Sequence, residues 1–484
     1  MQEIDVATIK KRSITGVMSL VSRTFFIQVI SQVVTFLLTV YLSPTDYGVF
    51  FLVSTVIVFL TYFSDIGLAA ALIQKKDEIT ENDLKTTFTI QQSLVLFMVI
   101  IGLALTPVIS SLYDLEREGI LLYQALIIAF FLSSLKTIPS ILLERNLKFQ
   151  KLVIPEIVET LVFNVLILVL AIKGFGIMSF TYSVIARGLV GVIALYIIAP
   201  WKIKIGFNKE SASRLLSFGL PFQANSLLAL IKDNLFFLYL GAVLPKPALG
   251  YIGVAQKWAY IPLRLIMDNL IRITFPSFSR LAGNPEYLAK AIEKTLFSTM
   301  VFIFPSLTGM VLLMPHFINI FPKYEKWEPA LFALFFFAIN AALSSITTPL
   351  TNALNAIGKI KITLKLMVFW TGATWILTPI LITIYGFNGV AIASALVSLS
   401  VFGVVWLVKK DIPFLLLPQF MPPFIATLAM GIVLYIVADL IVVDFLTLFI
   451  AIIISGAVYI LTLYLIAAKQ IRSDIQLIRD NLKR

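Results

Sequence analysis

The residues that could do chemistry in this chain are charged groups set in the middle of long apolar stretches. Arg23, Lys136, Arg187, Lys232, Lys257, Arg264 and Arg272 are the cations placed this way, and Asp65, Asp233 and Asp268 are acids beside them. An ionised side chain in hydrocarbon costs several kcal/mol, so it faces a hydrated path or a counter-charge rather than lipid. Arginine suits an oxyanion in particular, because its planar fork grips phosphate or carboxylate at two points. The chemistry implied is recognition of an anion, not bond breaking. The chain has no Cys and one His, His316, which excludes thiol catalysis, zinc–thiolate sites, disulfides and a His-dependent triad. No metal site or bound cofactor is expected.

The spacing sorts these charges. Lys257, Arg264, Asp268 and Arg272 fall seven, four and four residues apart, on one helix face. Asp268 can neutralise one neighbouring Arg but not both, so the face looks into an anion-holding cavity or joins a buried network, with Arg272 free to snorkel. Arg23 stands above a polar stripe of Gln28, Gln32, Thr35 and Thr39; it lines a cavity or snorkels. Arg187 is near mid-segment and reaches neither surface easily. Lys232 and Asp233 point about 100° apart on a helix, so Lys232 can face a cavity while Asp233 meets a cation elsewhere. Lys136 precedes Pro139, with snorkelling and cavity lining as its two readings. Asp65 is a counter-ion to Arg23 or a coupling site for H⁺ or Na⁺. Glu156 and Glu159, flanking Pro155, read as structural acids in a helix's first turn. Asn340 and Ser344 head a stripe continued by Thr347, Thr351 and Asn355, which fits sugar hydroxyls or ordinary interhelical hydrogen bonds.

The elements that must position these groups are membrane helices. The composition is 59% hydrophobic and 13% charged, which places the chain among polytopic membrane proteins. Spans are predicted at roughly 16–42, 47–72, 86–112, 120–143, 152–172, 177–200, 215–243, 249–278, 295–321, 329–355, 362–385, 388–408, 419–438 and 445–468. With a cytoplasmic N-terminus, about 26 of the 38 Lys and Arg fall in cytoplasmic connections and about five outside. The chain is therefore expected to be a multi-pass protein of the cell (cytoplasmic) membrane with both termini in the cytoplasm. The net charge of +12 follows this bias and does not imply nucleic acid. The first apolar stretch, Gly16–Leu42, is too long for a cleaved signal peptide.

The polar, basic segment Trp201–Arg214 follows six spans and reads as a linker. The organisation predicted is a six-helix lobe at 1–200, a linker at 201–214, a second lobe at 215–408, a helix pair at 409–468 and an amphipathic tail at 469–484. A weak echo between the turns Leu42–Gly48 and Leu244–Gly250 supports two related halves.

Several segments carry a family resemblance. They are Ser-Asp-Ile-Gly-Leu-Ala-Ala-Ala-Leu-Ile-Gln (64–74), Leu-Leu-Glu-Arg-Asn-Leu-Lys-Phe-Gln-Lys-Leu (142–152) and Ser-Phe-Gly-Leu-Pro-Phe (217–222). Leu-Gly-Tyr-Ile (249–252), Phe-Pro-Ser-Phe-Ser-Arg-Leu (275–281) and Asn-Ala-Ile-Gly-Lys (355–359) complete the set. In this order the chain resembles the Wzx-type polysaccharide transporters of the multidrug/oligosaccharidyl-lipid/polysaccharide exporter superfamily. The resemblance implies an all-α fold of about 14 transmembrane helices, two six-helix lobes around a central cavity and a C-terminal helix pair forming a lipid-tail groove. It also implies an undecaprenyl-diphosphate-linked oligosaccharide as substrate, flipped by alternating access, with membrane lipids and other polysaccharide-assembly proteins as partners. On that reading Arg23, Arg187, Lys232, Lys257 and Arg264 form the cationic cavity. Asp65 and Asp268 supply counter-charge or coupling, and Lys136, Asp233, Arg272, Asn340 and Ser344 are further candidates. The competing readings are a drug or organic-cation antiporter, which calls for unpaired carboxylates, and a membrane glycosyltransferase or polymerase, which calls for a sizeable external loop.

Overall fold

The computed structural model describes residues 30–64, 67–75, 77–146, 148–224 and 234–482, and among these every regular element is helical. Helix is the form an apolar run must take in a bilayer, where no water satisfies backbone N–H and C=O groups. Arg23, Asp65, Lys232 and Asp233, read above as candidates, lie outside the described residues, as do the side chains of Asp268 and Arg272.

The helices in order are α1 (Ile30–Tyr41), α2 (Pro44–Ser64), α3 (Leu68–Gln74), α4 (Glu81–Ala104), α5 (Thr106–Leu112), α6 (Arg117–Ser134) and α7 (Thr137–Arg145). Then come α8 (Phe149–Ile172), α9 (Met178–Ile198), α10 (Lys209–Ala224), α11 (Phe236–Val243) and α12 (Lys246–Leu281). The rest are α13 (Pro285–Ile320), α14 (Ala330–Ala356), α15 (Ile360–Tyr385), α16 (Asn388–Ser398), α17 (Val401–Lys409), α18 (Leu417–Ile441) and α19 (Phe445–Leu482). Among the described residues eleven helical segments are long and apolar enough to cross a membrane. The protein is thus an all-α polytopic membrane protein. Its described chain packs as two compact units that divide between Gly250 and Tyr251.

Four spans expected to be continuous are broken, three of them at a left-handed glycine or a proline. Gly67 adopts φ 73°, the left-handed conformation that separates α2 from α3. Pro107 opens α5 after α4 stops. Pro139 lacks an N–H and its ring crowds the carbonyl four residues earlier, so the helix yields at Leu135–Lys136 between α6 and α7. The Leu135 carbonyl freed there accepts a hydrogen bond from the Tyr196 hydroxyl at 3.1 Å. The break between α16 and α17, at Leu399–Ser400, has no proline or glycine to explain it.

In the first unit the two echoed turns meet. A Cβ on Gly48 would lie 1.8 Å from the Lys246 carbonyl oxygen, and one on Gly250 would lie 2.0 Å from that of Pro44. Only glycine at both places lets the backbones touch. Ser43 and Asp46 cap the start of α2 reciprocally, at 2.8 and 3.1 Å.

The segment 201–214 is bound along α4. Gly206 N–H donates to Thr89 Oγ1 at 3.0 Å, and Asn208 N–H donates to Thr86 Oγ1 at 2.9 Å. Arg214 Nη2 lies 2.7 Å from Asp83 Oδ1, and Lys75 Nζ holds the other oxygen at 2.5 Å. Asp83 is fully buried and also caps α4 with Thr80. Nearby, Arg145 donates to the carbonyls of Leu72 (2.8 Å), Lys75 (2.6 Å) and Asp77. Two of the family motifs are thereby clasped together over a core of Leu68, Leu72, Phe88, Ile138, Ile141 and Leu215.

In the second unit α13 is 36 residues long, or about 54 Å at 1.5 Å per residue, against about 30 Å of hydrocarbon. It starts at Pro285 rather than near residue 295 because Asn284 caps it, its Oδ1 accepting from Tyr287 N–H. Its core partners include Leu350, Ala353 and Leu354 on α14, with Val404 and Val408 on α17. Small residues at such contacts let helices approach closely where lipid offers no hydrophobic drive. The final pair, α18 and α19, packs on α13 through Phe297, Ala426, Met430 and Leu463, and Tyr459 donates to the Val301 carbonyl at 2.6 Å. The backbone of α19 stays helical to Leu482 with a kink at Ala467.

Candidate functional site

Three helices of the first unit bring charged candidates together. The break at Leu135 puts Lys136 at the head of α7, whose Nζ lies 2.6 Å from Glu159 Oε1 on α8. Arg187, at mid-length of α9, approaches the other carboxylate oxygen at 3.8 Å through Nε. Its guanidinium also sits 5.7 Å from the Phe163 ring centre, a cation–π contact. The Lys136 and Glu159 side chains are 17% and 8% exposed, whereas Arg187 is 52% exposed. One carboxylate is therefore committed to Lys136, and Arg187 is held loosely with its fork accessible.

These groups border a cleft of about 360 Å³ that also takes in Ser140, Glu156 and Thr160. Its polar rim fits a hydrated or hydroxylated group. Two cations face two carboxylates, so the cleft is balanced in formal charge rather than purely cationic. The geometry corrects the reading of Glu156 and Glu159 as first-turn acids. The helix α8 runs through Pro155 and begins at Phe149, so these acids fall in its second and third turns and the first turn holds no acid. A helix-dipole role is too far away; the Lys136 and Arg187 contacts explain Glu159 instead.

One residue of this site escaped sequence reasoning. A Cβ at Gly191 would lie 2.2 Å from Glu159 Oε1, so only glycine leaves room for the carboxylate to cross α9. Its signal was its place one turn after Arg187.

The other described candidates sit elsewhere. Lys257 is half-buried and Arg264 exposed on α12, in the second unit. Asn340 bridges helices: Tyr260 donates to its Oδ1 at 2.7 Å, and its Nδ2 donates to the Ser394 carbonyl at 2.7 Å. Down the same stripe, Thr347 and Thr351 bond to carbonyls of their own helix, and Asn355 accepts from Thr363. The stripe therefore makes interhelical bonds at Asn340 and Asn355 and bonds within its own helix at Thr347 and Thr351. Ser344 is half-buried beside it.

This architecture and site define a membrane transporter fold. The chain belongs to the polysaccharide biosynthesis protein family, whose model matches residues 37–331. It is similar to the teichuronic acid biosynthesis protein TuaB of Bacillus subtilis strain 168, with 25% identity over 408 residues, 78% of each chain. Succinoglycan biosynthesis transport protein ExoT of Rhizobium meliloti strain 1021 is 23% identical over 271 residues, and the chain spans about half of that protein's length, 54%. Among solved structures, the lipid II flippase MurJ in an inward closed conformation shares the fold. Its TM-score is 0.75 at 19% identity, covering 94% of this chain and all of MurJ. The resemblance read from the motifs is borne out.

Proposed function

We propose that this protein is a flippase for an undecaprenyl-diphosphate-linked oligosaccharide, carrying it from the cytoplasmic to the outer leaflet of the cell membrane by alternating access. It has fourteen crossings, both termini in the cytoplasm, lobes at 1–200 and 215–408 joined by 201–214, a helix pair at 409–468 and a tail at 469–484. It breaks no bond. Its task is to lower the cost of moving a charged, hydrated headgroup through hydrocarbon.

The observation that carries this reading is the state of Arg187. It is a mid-helix cation, half-exposed, with its nearest carboxylate 3.8 Å away and already bound to Lys136. A phosphate or acidic sugar would offer Arg187 a bidentate partner without dislodging that pair. We further assign Arg23, Lys232, Lys257 and Arg264 to binding the anionic headgroup, and Asp65 and Asp268 to counter-charge or coupling.

The test is complementation of a host lacking its own flippase. Wild type should restore surface polysaccharide, while Arg187→Ala should abolish it and leave lipid-linked repeat units accumulating on the cytoplasmic leaflet. Arg187→Lys should restore it in part, since a point charge lacks the fork. Full export by the Ala variant would remove Arg187 from the mechanism, and drug resistance conferred without export would favour the antiporter.

A further inference from the structure

A second cavity lies wholly within the second unit, and the transport path does not call on it. It is an open depression of about 490 Å³, inside the range of small-molecule sites of about 300–1,000 Å³. Its lining is Glu328, Pro329, Phe332, Tyr385, Phe387 and Asn388. The chain builds it from the head of α14, the end of α15 and the head of α16. Gly386 turns between the last two helices at φ 59°, and a Cβ on Gly389 would lie 2.3 Å from the Leu381 carbonyl carbon, so the turn is tightly seated. Tyr385, Phe387 and Asn388 are fixed by that turn.

The lining has an unusual chemistry for a membrane-helix end. Tyr385 and Phe332 are 53% and 49% exposed, and Phe387 is steadied by Tyr251 at 5.5 Å. Beside these rings stand one exposed carboxylate, Glu328, and the amide of Asn388. The Asn388 Oδ1 is buried with no hydrogen-bond partner among the described residues. A buried acceptor left unmade is costly, and the broad terminal torsion of Asn lets a modest turn offer it to the cavity. Among the described residues no cation lines the cavity, so phosphate and uronic acids are poor ligands. Pyranose sugars combine what the lining asks for: C–H faces that pack on aromatic rings, and hydroxyls that donate to carboxylate and amide oxygens.

We propose that this cavity is a binding site for a neutral pyranose oligosaccharide. It is separate from the cleft around Arg187 and stands at the opposite end of α15 from Lys359, Lys361 and Lys365. In the orientation proposed above, on which this inference rests, that end is the outer one. The cavity would receive the sugar portion of the headgroup as it emerges, while the diphosphate is handled elsewhere.

The full chain in lipid nanodiscs would be probed with an array of neutral and acidic oligosaccharides. Neutral pyranose oligosaccharides should bind. Tyr385→Ala should weaken binding about tenfold and Glu328→Gln should weaken it also, while Tyr385→Phe keeps it. Matching elution and thermal unfolding of the variants would establish that they fold. Absence of any glycan binding by wild type, equal binding by Tyr385→Ala, or capture of acidic glycans alone would overturn the proposal. It would also show that these rings merely anchor at the interface. The complementation assay keeps the two readings apart: export without glycan binding removes this site alone, and binding without export removes the flippase.

Discussion

Glu159 gives the sharpest test of the site's energetics. The Lys136–Glu159 pair is 2.6 Å long and mostly buried, with side chains 17% and 8% exposed. Removing one partner of such a pair leaves an uncompensated charge and costs roughly 3–5 kcal/mol, whereas replacing both by apolar groups of similar size is close to neutral. Arg187 adds little to stability, because a half-exposed pair at 3.8 Å is worth at most about 1 kcal/mol. Glu159→Leu should therefore destabilise the protein by about 3–5 kcal/mol, and Lys136→Met with Glu159→Leu should recover most of it. Denaturant unfolding in detergent micelles, followed by helical circular dichroism, measures all four corners of the cycle. The double variant should remain inactive in polysaccharide export, since its cleft has lost its polar wall. A Glu159→Leu protein as stable as wild type, or a double variant as damaged as the single, would refute the buried-pair reasoning.

Two further substitutions test the close contacts. Gly191→Ala places a methyl 2.2 Å from Glu159 Oε1, so the carboxylate must leave Lys136. Stability should fall by about 1–3 kcal/mol and export with it, and unchanged unfolding and export would mean the carboxylate is not confined there. Gly250→Ala sets a methyl 2.0 Å from the Pro44 carbonyl, and protease nicking within 42–48 should accelerate as the two turns part. Unaltered nicking would show that the contact is dispensable.

The spans were legible because about 20 apolar residues have one structural solution in a bilayer. The α6–α7 break was also within reach, since Pro139 stands four residues after Leu135. What escaped was non-local. Lys136 and Glu159 are 23 residues apart on different helices, and no helical periodicity pairs them. Glu159 looked like a first-turn acid because Pro155 resembled a helix start, yet α8 passes through it. Asn340 offered two readings that composition cannot separate, and only its contacts with Tyr260 and Ser394 choose between them. The reciprocal seating of Gly48 and Gly250 was visible only as an echo of two turns; its meaning needed three dimensions.

The binding of 204–214 along α4 changes what a connection between helices can do. A chain of this length hanging free would have slack of tens of ångströms, at about 3.3 Å per residue. Here it is pinned at Lys204, Gly206, Asn208 and Arg214, the first through Glu81 at 2.9 Å. There is no slack left to take up. Any displacement of α10 is felt at once at Asp83, and through Lys75 and Arg145 at the end of α3. Because Asp83 is shielded from solvent, added salt will weaken its contacts less than the exposed Lys204–Glu81 pair. The segment is thus a strut that ties α10 to α4 at four points rather than a loose connection.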